Sequence, residues 1–169
     1  MRTSDIITMQ IDLADDQIPI RSFPEGAHLV PFDPATHRRL ARDLLNLAYQ
    51  HGGGDIRSTE AWWSELVEDA EYEQALLFAV MAHHSNTMIA FAQVWSSGFI
   101  KDFAVHPKHQ RTGLGSALLS HVFQVLFARG LKHSSLKVRS DNPSNAAAFY
   151  QALGMSSLAT SHRENGGLG

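Results

Sequence analysis

Cysteine is absent from the 169 residues, which excludes disulfides, a thiolate nucleophile and cysteine-ligated zinc. An excess of basic charge is absent as well. Fourteen lysines and arginines stand against 17 aspartates and glutamates, for a net charge of −3, so the basic footprint of a nucleic-acid partner is missing. No apolar run approaches the ~18 residues of a membrane span, and Met1-Arg-Thr-Ser-Asp5 lacks the apolar centre of a signal peptide. A cytoplasmic chain with no membrane partner is the expectation. Repeats and low-complexity stretches are also missing. What remains is a chain with 44% hydrophobic residues, which suits one globular domain with a real core.

In chain order, residues 1–26 read as an N-terminal arm or an extra strand that packs on a neighbouring subunit. Its alternating segment 6–11 is followed by Asp15-Asp16, Pro19, Pro24 and Gly26, which break any regular pattern. Residues 27–169 read as a single domain. Positions 28–32 suit a strand, and Asp33-Pro34 caps a helix that runs to about position 49 with Leu40, Leu44, Leu45, Leu47 and Ala48 on its apolar face. Glycines 52–54 end it. Ser58-Thr-Glu-Ala61 is a capping signature for a second helix over 62–70. Segments 75–81 and 88–95 read as an antiparallel hairpin, and 99–105 as the next strand. A helix over 116–127, a strand over 131–139, a helix from about 142 and a short strand within 156–163 complete the order. The fold class is therefore α/β (α+β layered), with a central mixed, mostly antiparallel sheet flanked by helices on both faces.

The pivot is His106-Pro-Lys-His-Gln-Arg-Thr-Gly-Leu-Gly115, which joins a strand to a helix. The first amides of a helix lack intrahelical acceptors, and the helix dipole adds partial positive charge there. Gly113 and Gly115 let backbone approach an anion, with Lys108 and Arg111 adding charge. A Walker-type loop needs Gly-Lys before Ser or Thr, and Gly115-Ser116 lacks the lysine. A dinucleotide fingerprint needs a glycine where Leu118 stands and a carboxylate on the next strand, which 131–139 does not carry.

Gln110-x-x-Gly113-x-Gly115, preceded by Val105-x-Pro107, resembles the acyl-CoA pyrophosphate loop of the GNAT superfamily of N-acetyltransferases. A second segment, Ala146-Ala-Ala-Phe-Tyr-Gln-Ala-Leu-Gly-Met155, is similar to that family's Ala-x-x-Phe-Tyr-x-x-x-Gly-Phe helix, with Met155 in place of the usual Phe. The resemblance covers roughly residues 99–155. It implies the GNAT fold, acetyl-CoA as cosubstrate and a primary amine, small-molecule or peptide, as acceptor, attacked directly in a ternary complex. The alternatives are an acyl-CoA-binding module with a regulatory role, and a nucleotide-binding domain of another class.

By the same resemblance, Phe103, Ala104 and Val105 pair with the pantetheine arm. Gln110 and the amides of Arg111, Thr112, Gly113, Leu114, Gly115 and Ser116 take the pyrophosphate. Either Asn142 or Asn145 bonds the arm, beside Phe149. Tyr150 takes the place of the acid that protonates the leaving thiolate; its phenol is protonated at neutral pH. Asp102 is the candidate base, direct or through water, or else a structural residue. In a regular strand it and Lys101 would point to opposite faces. Glu60 and Glu65 are weaker candidates. The tryptophans at 62, 63 and 95 suit either core or acceptor pocket. His83-His84, His106 and His109 lack a metal-ligand pattern, so no metal is expected. Family members commonly carry a further strand at the C-terminal end, which this sequence lacks; the arm, or a partner's, can replace it. A homodimer is the expectation that follows from the arm.

Overall fold

Every residue of Met88–Val94 is buried, and all but the last of Leu77–Ala82 are; strands this apolar on both faces belong inside a layered fold. The computed structural model describes residues 5–52, 54–140 and 145–158. They form β1 (Ile6–Asp12), β2 (Ala27–Val30), α1 (Pro34–Ala48), α2 (Thr59–Glu68), β3 (Leu77–Ala82), β4 (Met88–Val94), β5 (Ile100–Val105), α3 (Leu114–Ala128), β6 (His133–Arg139), α4 (Ala146–Ala152) and β7 (Ser156–Ser157). Among them no helix is long and apolar enough to cross a membrane.

The strands form an antiparallel sheet in the order β2-β3-β4-β5 and a second sheet in the order β6-β1-β7. One face of the first sheet, with Ala79, Phe91 and Ala104, packs under Leu44 and Leu45 of α1 and Trp62 and Leu66 of α2. The other face, with Phe78, Val80 and Ala92, packs under Leu118, Val122 and Phe123 of α3. A parallel bridge between Phe99 and Ser135 joins the two sheets, and beyond it they part.

The N-terminal strand is not an appendage. β1 pairs antiparallel along all of β6, from Ile6–Arg139 to Asp12–His133, and on its other side with β7 through Met9 and Gln10. Met9, Ile11 and Leu13 point into the core that α3 shares, with Met9 fully buried. The arm therefore completes the sheet of its own chain, and the ground for expecting it on a neighbouring subunit falls away.

Local chemistry explains the element ends. Asp33 caps α1 by accepting from the Ala35 amide (3.3 Å) and the Thr36 hydroxyl (2.7 Å). Ser58 accepts from the Ala61 amide at 3.2 Å, so α2 starts three residues before the expected position 62. Gly113 takes a left-handed φ of +86° and opens α3 at Leu114, two residues early. Asn145, at φ +55°, holds the left-handed conformation, and α4 starts only after it. The helix expected from about position 142 is seen from Ala146, because a left-handed Asn145 cannot sit inside a right-handed helix. The expected strand over 156–163 is seen at Ser156–Ser157; its part beyond position 158, and Asn142, lie outside the described residues.

Candidate active site

The loop between β5 and α3 is built from backbone. Thr112 Oγ1 donates to the His109 carbonyl at 2.6 Å, and His106 Nδ1 accepts from the Lys108 amide at 3.1 Å. Arg111 and Gly113 both take positive φ. No side chain caps α3, so its first amides are left for an external acceptor. A Cβ added at Gly113 would meet nothing within 4 Å, so the loop is open on that side. Gly115 has a different reason to be glycine. Its added Cβ would lie 3.2 Å from the Phe149 ring and from Val105 Cγ2, and 3.4 Å from the Phe103 ring. The missing side chain lets α3, β5 and α4 close on one another, where Phe103 and Phe149 stack at 6.1 Å. Gln110 sits at the edge of the loop, with Nε2 3.5 Å from the Val105 carbonyl.

Where the sheets part, a cleft of about 600 Å³ opens. Its floor includes Gln93, Trp95 and Asp102, one wall Arg42, Trp62 and Glu65, and the other Arg139, Ala146 and Tyr150. Ile6 of β1 also lines it, so the first strand reaches the site. Lys101 and Asp102 both line the cleft. Alternation predicts opposite faces, but the ladder pairs Gln93 with Asp102 and then Val94 with Ile100. Lys101 is thus the extra residue of a β-bulge, and a bulge breaks the two-residue period.

Asp102 does not stand alone. The Tyr49 hydroxyl donates to its Oδ1 at 2.9 Å, and burial, then the Asp102 charge, pushes that phenol well above its ordinary range. Behind Tyr49 lies Arg42, only 2% exposed. Its Nη2 donates to the Asp55 carbonyl (2.7 Å) and its Nε to Asn46 Oδ1 (2.9 Å). Its guanidinium lies 5.5 Å from the Trp62 ring centre. Burial pulls the Arg42 pKa down and the Asp102 charge opposes that. Tyr150 stands on the opposite wall, edge-on to Phe103 at 6.3 Å, and burial pushes its phenol up to about 12.

The cleft thus gathers Asp102 and Tyr150, beside the edge of β5 that carries Phe103, Ala104 and Val105. Glu65 also lines it, tied to Arg57 at 2.6 Å. Glu60 faces a separate groove of about 390 Å³ with Arg38 and Arg39. Trp63 is packed against Phe32 at 6.0 Å, outside the cleft, whereas Trp62 and Trp95 line it. Asn145 is exposed and caps α4 by backbone conformation, with no side-chain bond to the helix. His83 stacks on His28 at 4.4 Å, and His106 and His109 stay on the loop. Among the described residues no three histidine or carboxylate side chains are grouped to hold a metal.

Three residues of the site escaped sequence reasoning: Arg42 and Gln93, which line the cleft, and Tyr49, which bonds Asp102. Two left a trace. Arg42 follows Leu40 and Ala41 on a helix whose Leu44 and Leu45 are core, and Gln93 is the one polar residue in the apolar Met88–Val94.

A family model described as Acetyltransferase (GNAT) family matches residues 38–155, which runs from within α1 through α4 and includes the whole of the cleft's floor. The chain belongs to the GNAT acetyltransferase family. The ribosomal protein bS18-alanine N-acetyltransferase of Escherichia coli (strain K12) is 33% identical over 94 residues, 55% of this chain and 63% of that protein. The chain thus matches less than two thirds of the length of these curated relatives. Among solved structures, the ribosomal-protein-S18-alanine N-acetyltransferase from Escherichia coli superposes with a TM-score of 0.59 at 29% identity, over 76% of each chain. A GCN5-related N-acetyltransferase from Sphaerobacter thermophilus superposes with a TM-score of 0.78 at 23% identity, over 92% of this GNAT chain and 49% of that one; it supports the fold alone.

Proposed function

We propose that this chain transfers an acetyl group from acetyl-CoA to a primary amine by direct attack. The observation that carries this is one cleft lined by both Asp102, held by Tyr49, and Tyr150, together with an uncapped helix N-terminus. Acetyl-CoA supplies the thioester whose C–S bond breaks as the C–N bond forms. The amine loses one proton and the leaving sulfur gains one, so no covalent enzyme intermediate is required.

The roles follow from chemistry. The α3 amides from Leu114 to Ser116, with those of Arg111 to Gly113, hold the pyrophosphate, and the edge of β5 at Phe103 to Val105 holds the arm as an added strand. Phe149 closes the far side, and Asn142 or Asn145 bonds the arm. Asp102 attracts the ammonium and takes its first proton, directly or through water, for release to solvent; the neutral amine then attacks and gives up its second proton as the C–N bond forms. The Tyr49 hydroxyl fixes the orientation of that carboxylate. Tyr150 donates a hydrogen bond to the sulfur as negative charge grows there. A phenol at about 12 is a weaker acid than a thiol near 8.5, so complete transfer from Tyr150 is uphill. The proton lost by the amine balances the thiolate.

The similarity to the Escherichia coli bS18-alanine N-acetyltransferase supports putting peptide N-terminal amines first in an acceptor screen. The test follows thiol release from acetyl-CoA with a panel of amines. Tyr150→Phe is expected to lower kcat tenfold or more with acetyl-CoA affinity nearly unchanged, because only a transition-state contact is lost. Undiminished turnover removes Tyr150 from the mechanism, and the absence of amine-dependent thiol release with every acceptor refutes the activity.

A further inference from the structure

Gln93 is 1% exposed, and neither its Oε1 nor its Nε2 has a hydrogen-bond partner among the described residues. Native proteins leave few buried polar atoms unpaired, and each such case calls for a reason. The rest of β4 is apolar, so any apolar side chain would serve the sheet there. Gln93 is also placed where the chemistry is proposed. It lines the cleft and stands directly opposite Asp102 in the ladder, and directly opposed residues project from the same face.

We propose that Gln93 selects the acceptor by pairing with its backbone amides, so that the preferred acceptor is an extended peptide with a free N-terminus. This rests on the acetyltransferase reading above. A carboxamide presents an N–H donor and a C=O acceptor side by side. One residue of an extended chain presents the complement, its own N–H and C=O along one edge, the exchange that pairs strands in a sheet. The spacing agrees. Opposed strand residues are about 4.5–5.5 Å apart and successive extended residues about 3.3 Å, so a peptide amine at Asp102 brings its second residue to Gln93. An amine with no neighbouring amide would leave the carboxamide unpaired in the complex, and sites built for hydrogen bonding discriminate strongly against such analogues.

The experiment compares wild type with Gln93→Met, which keeps the side-chain length and removes both polar atoms. The acceptors are an alanine-initiated tripeptide amide, the same peptide N-methylated at its second residue, and phenethylamine. The substitution is expected to lower kcat/KM at least tenfold more on the tripeptide than on phenethylamine. N-methylation should cost wild type about as much and the variant little further, since the two changes remove one interaction. The thermal midpoint of Gln93→Met should equal or exceed that of wild type, because a buried unpaired polar group is gone. Equal losses on both acceptors, no loss on the tripeptide, or a lowered midpoint with uniform loss would each overturn the assignment. Gln93→Leu repeats the comparison if the methionine variant does not fold. Should wild type acetylate no amine, the acetyltransferase reading fails separately. Gln93 is then judged by the midpoint shift that the tripeptide induces in wild type and not in Gln93→Met; no shift overturns it too.

Discussion

Met9→Ala isolates the part played by the N-terminal strand. Met9 is fully buried, opposes Leu136 on one side and Ser157 on the other, and lies in the core that α3 packs on. Truncating a buried methionine to alanine costs about 2–5 kcal/mol, the lost transfer energy plus the cavity left behind. Against a total stability of about 5–15 kcal/mol, that is a large fraction. In a domain of this size each kcal/mol moves the midpoint by about 2–4 °C, so the expected fall is about 4–20 °C. Thermal unfolding followed by circular dichroism measures it, with Asp12→Ala, an exposed position of the same strand, as the control that should change little. Because Ile6 of this strand lines the cleft, deletion of residues 1–12 should abolish turnover as well as stability. A midpoint within 1 °C of wild type for Met9→Ala would mean that β1 is not seated in the core, and the argument for a self-completed sheet would be refuted.

Further outcomes are expected at the cleft and the loop. Tyr49→Phe removes the 2.9 Å bond to Asp102; hydrogen bonds to charged groups contribute about 1.5–3 kcal/mol, so the midpoint should fall by several degrees and kcat with it, read by thermal unfolding and thiol release. Unchanged kcat would separate Asp102 orientation from catalysis. At Gly113, whose added Cβ meets nothing within 4 Å, alanine should cost only the left-handed backbone penalty of about 1–2 kcal/mol and keep the midpoint shift induced by acetyl-CoA. Gly113→Glu should lose that shift, because its carboxylate occupies the anion site; a shift retained by both would displace the pyrophosphate from this loop. The raised Tyr150 phenol carries a pH signature. Its neutral-form stability is full below the unfolded tyrosine value of ~10 and is lost as pH rises through about 12, at most about 3 kcal/mol. Wild type should therefore lose more urea resistance than Tyr150→Phe between pH 9 and pH 11.5, and equal losses would contradict the burial of that phenol.

The sequence by itself determined what depends on neighbours along the chain. Gly113 and Gly115 between an apolar strand and an apolar helix marked the turn into α3, and Ser58 and Asp33-Pro34 marked helix starts, because caps, turns and periodicity act within a few residues. Ala146, Phe149, Tyr150 and Gly154 carried the family resemblance. Tertiary structure decided the rest. The place of β1 depends on pairing Ile6 with Arg139, and a strand's alternation states which face it buries but not which edge it joins. The bulge at Lys101 turned an either-or choice between Lys101 and Asp102 into a shared cleft. Gly115 is spared a side chain by Phe103, Val105 and Phe149, residues from two other elements. Tyr49 meets Asp102 across 53 positions, a contact that no local pattern encodes: its energy appears only when α1 packs on the sheet and excludes water from both.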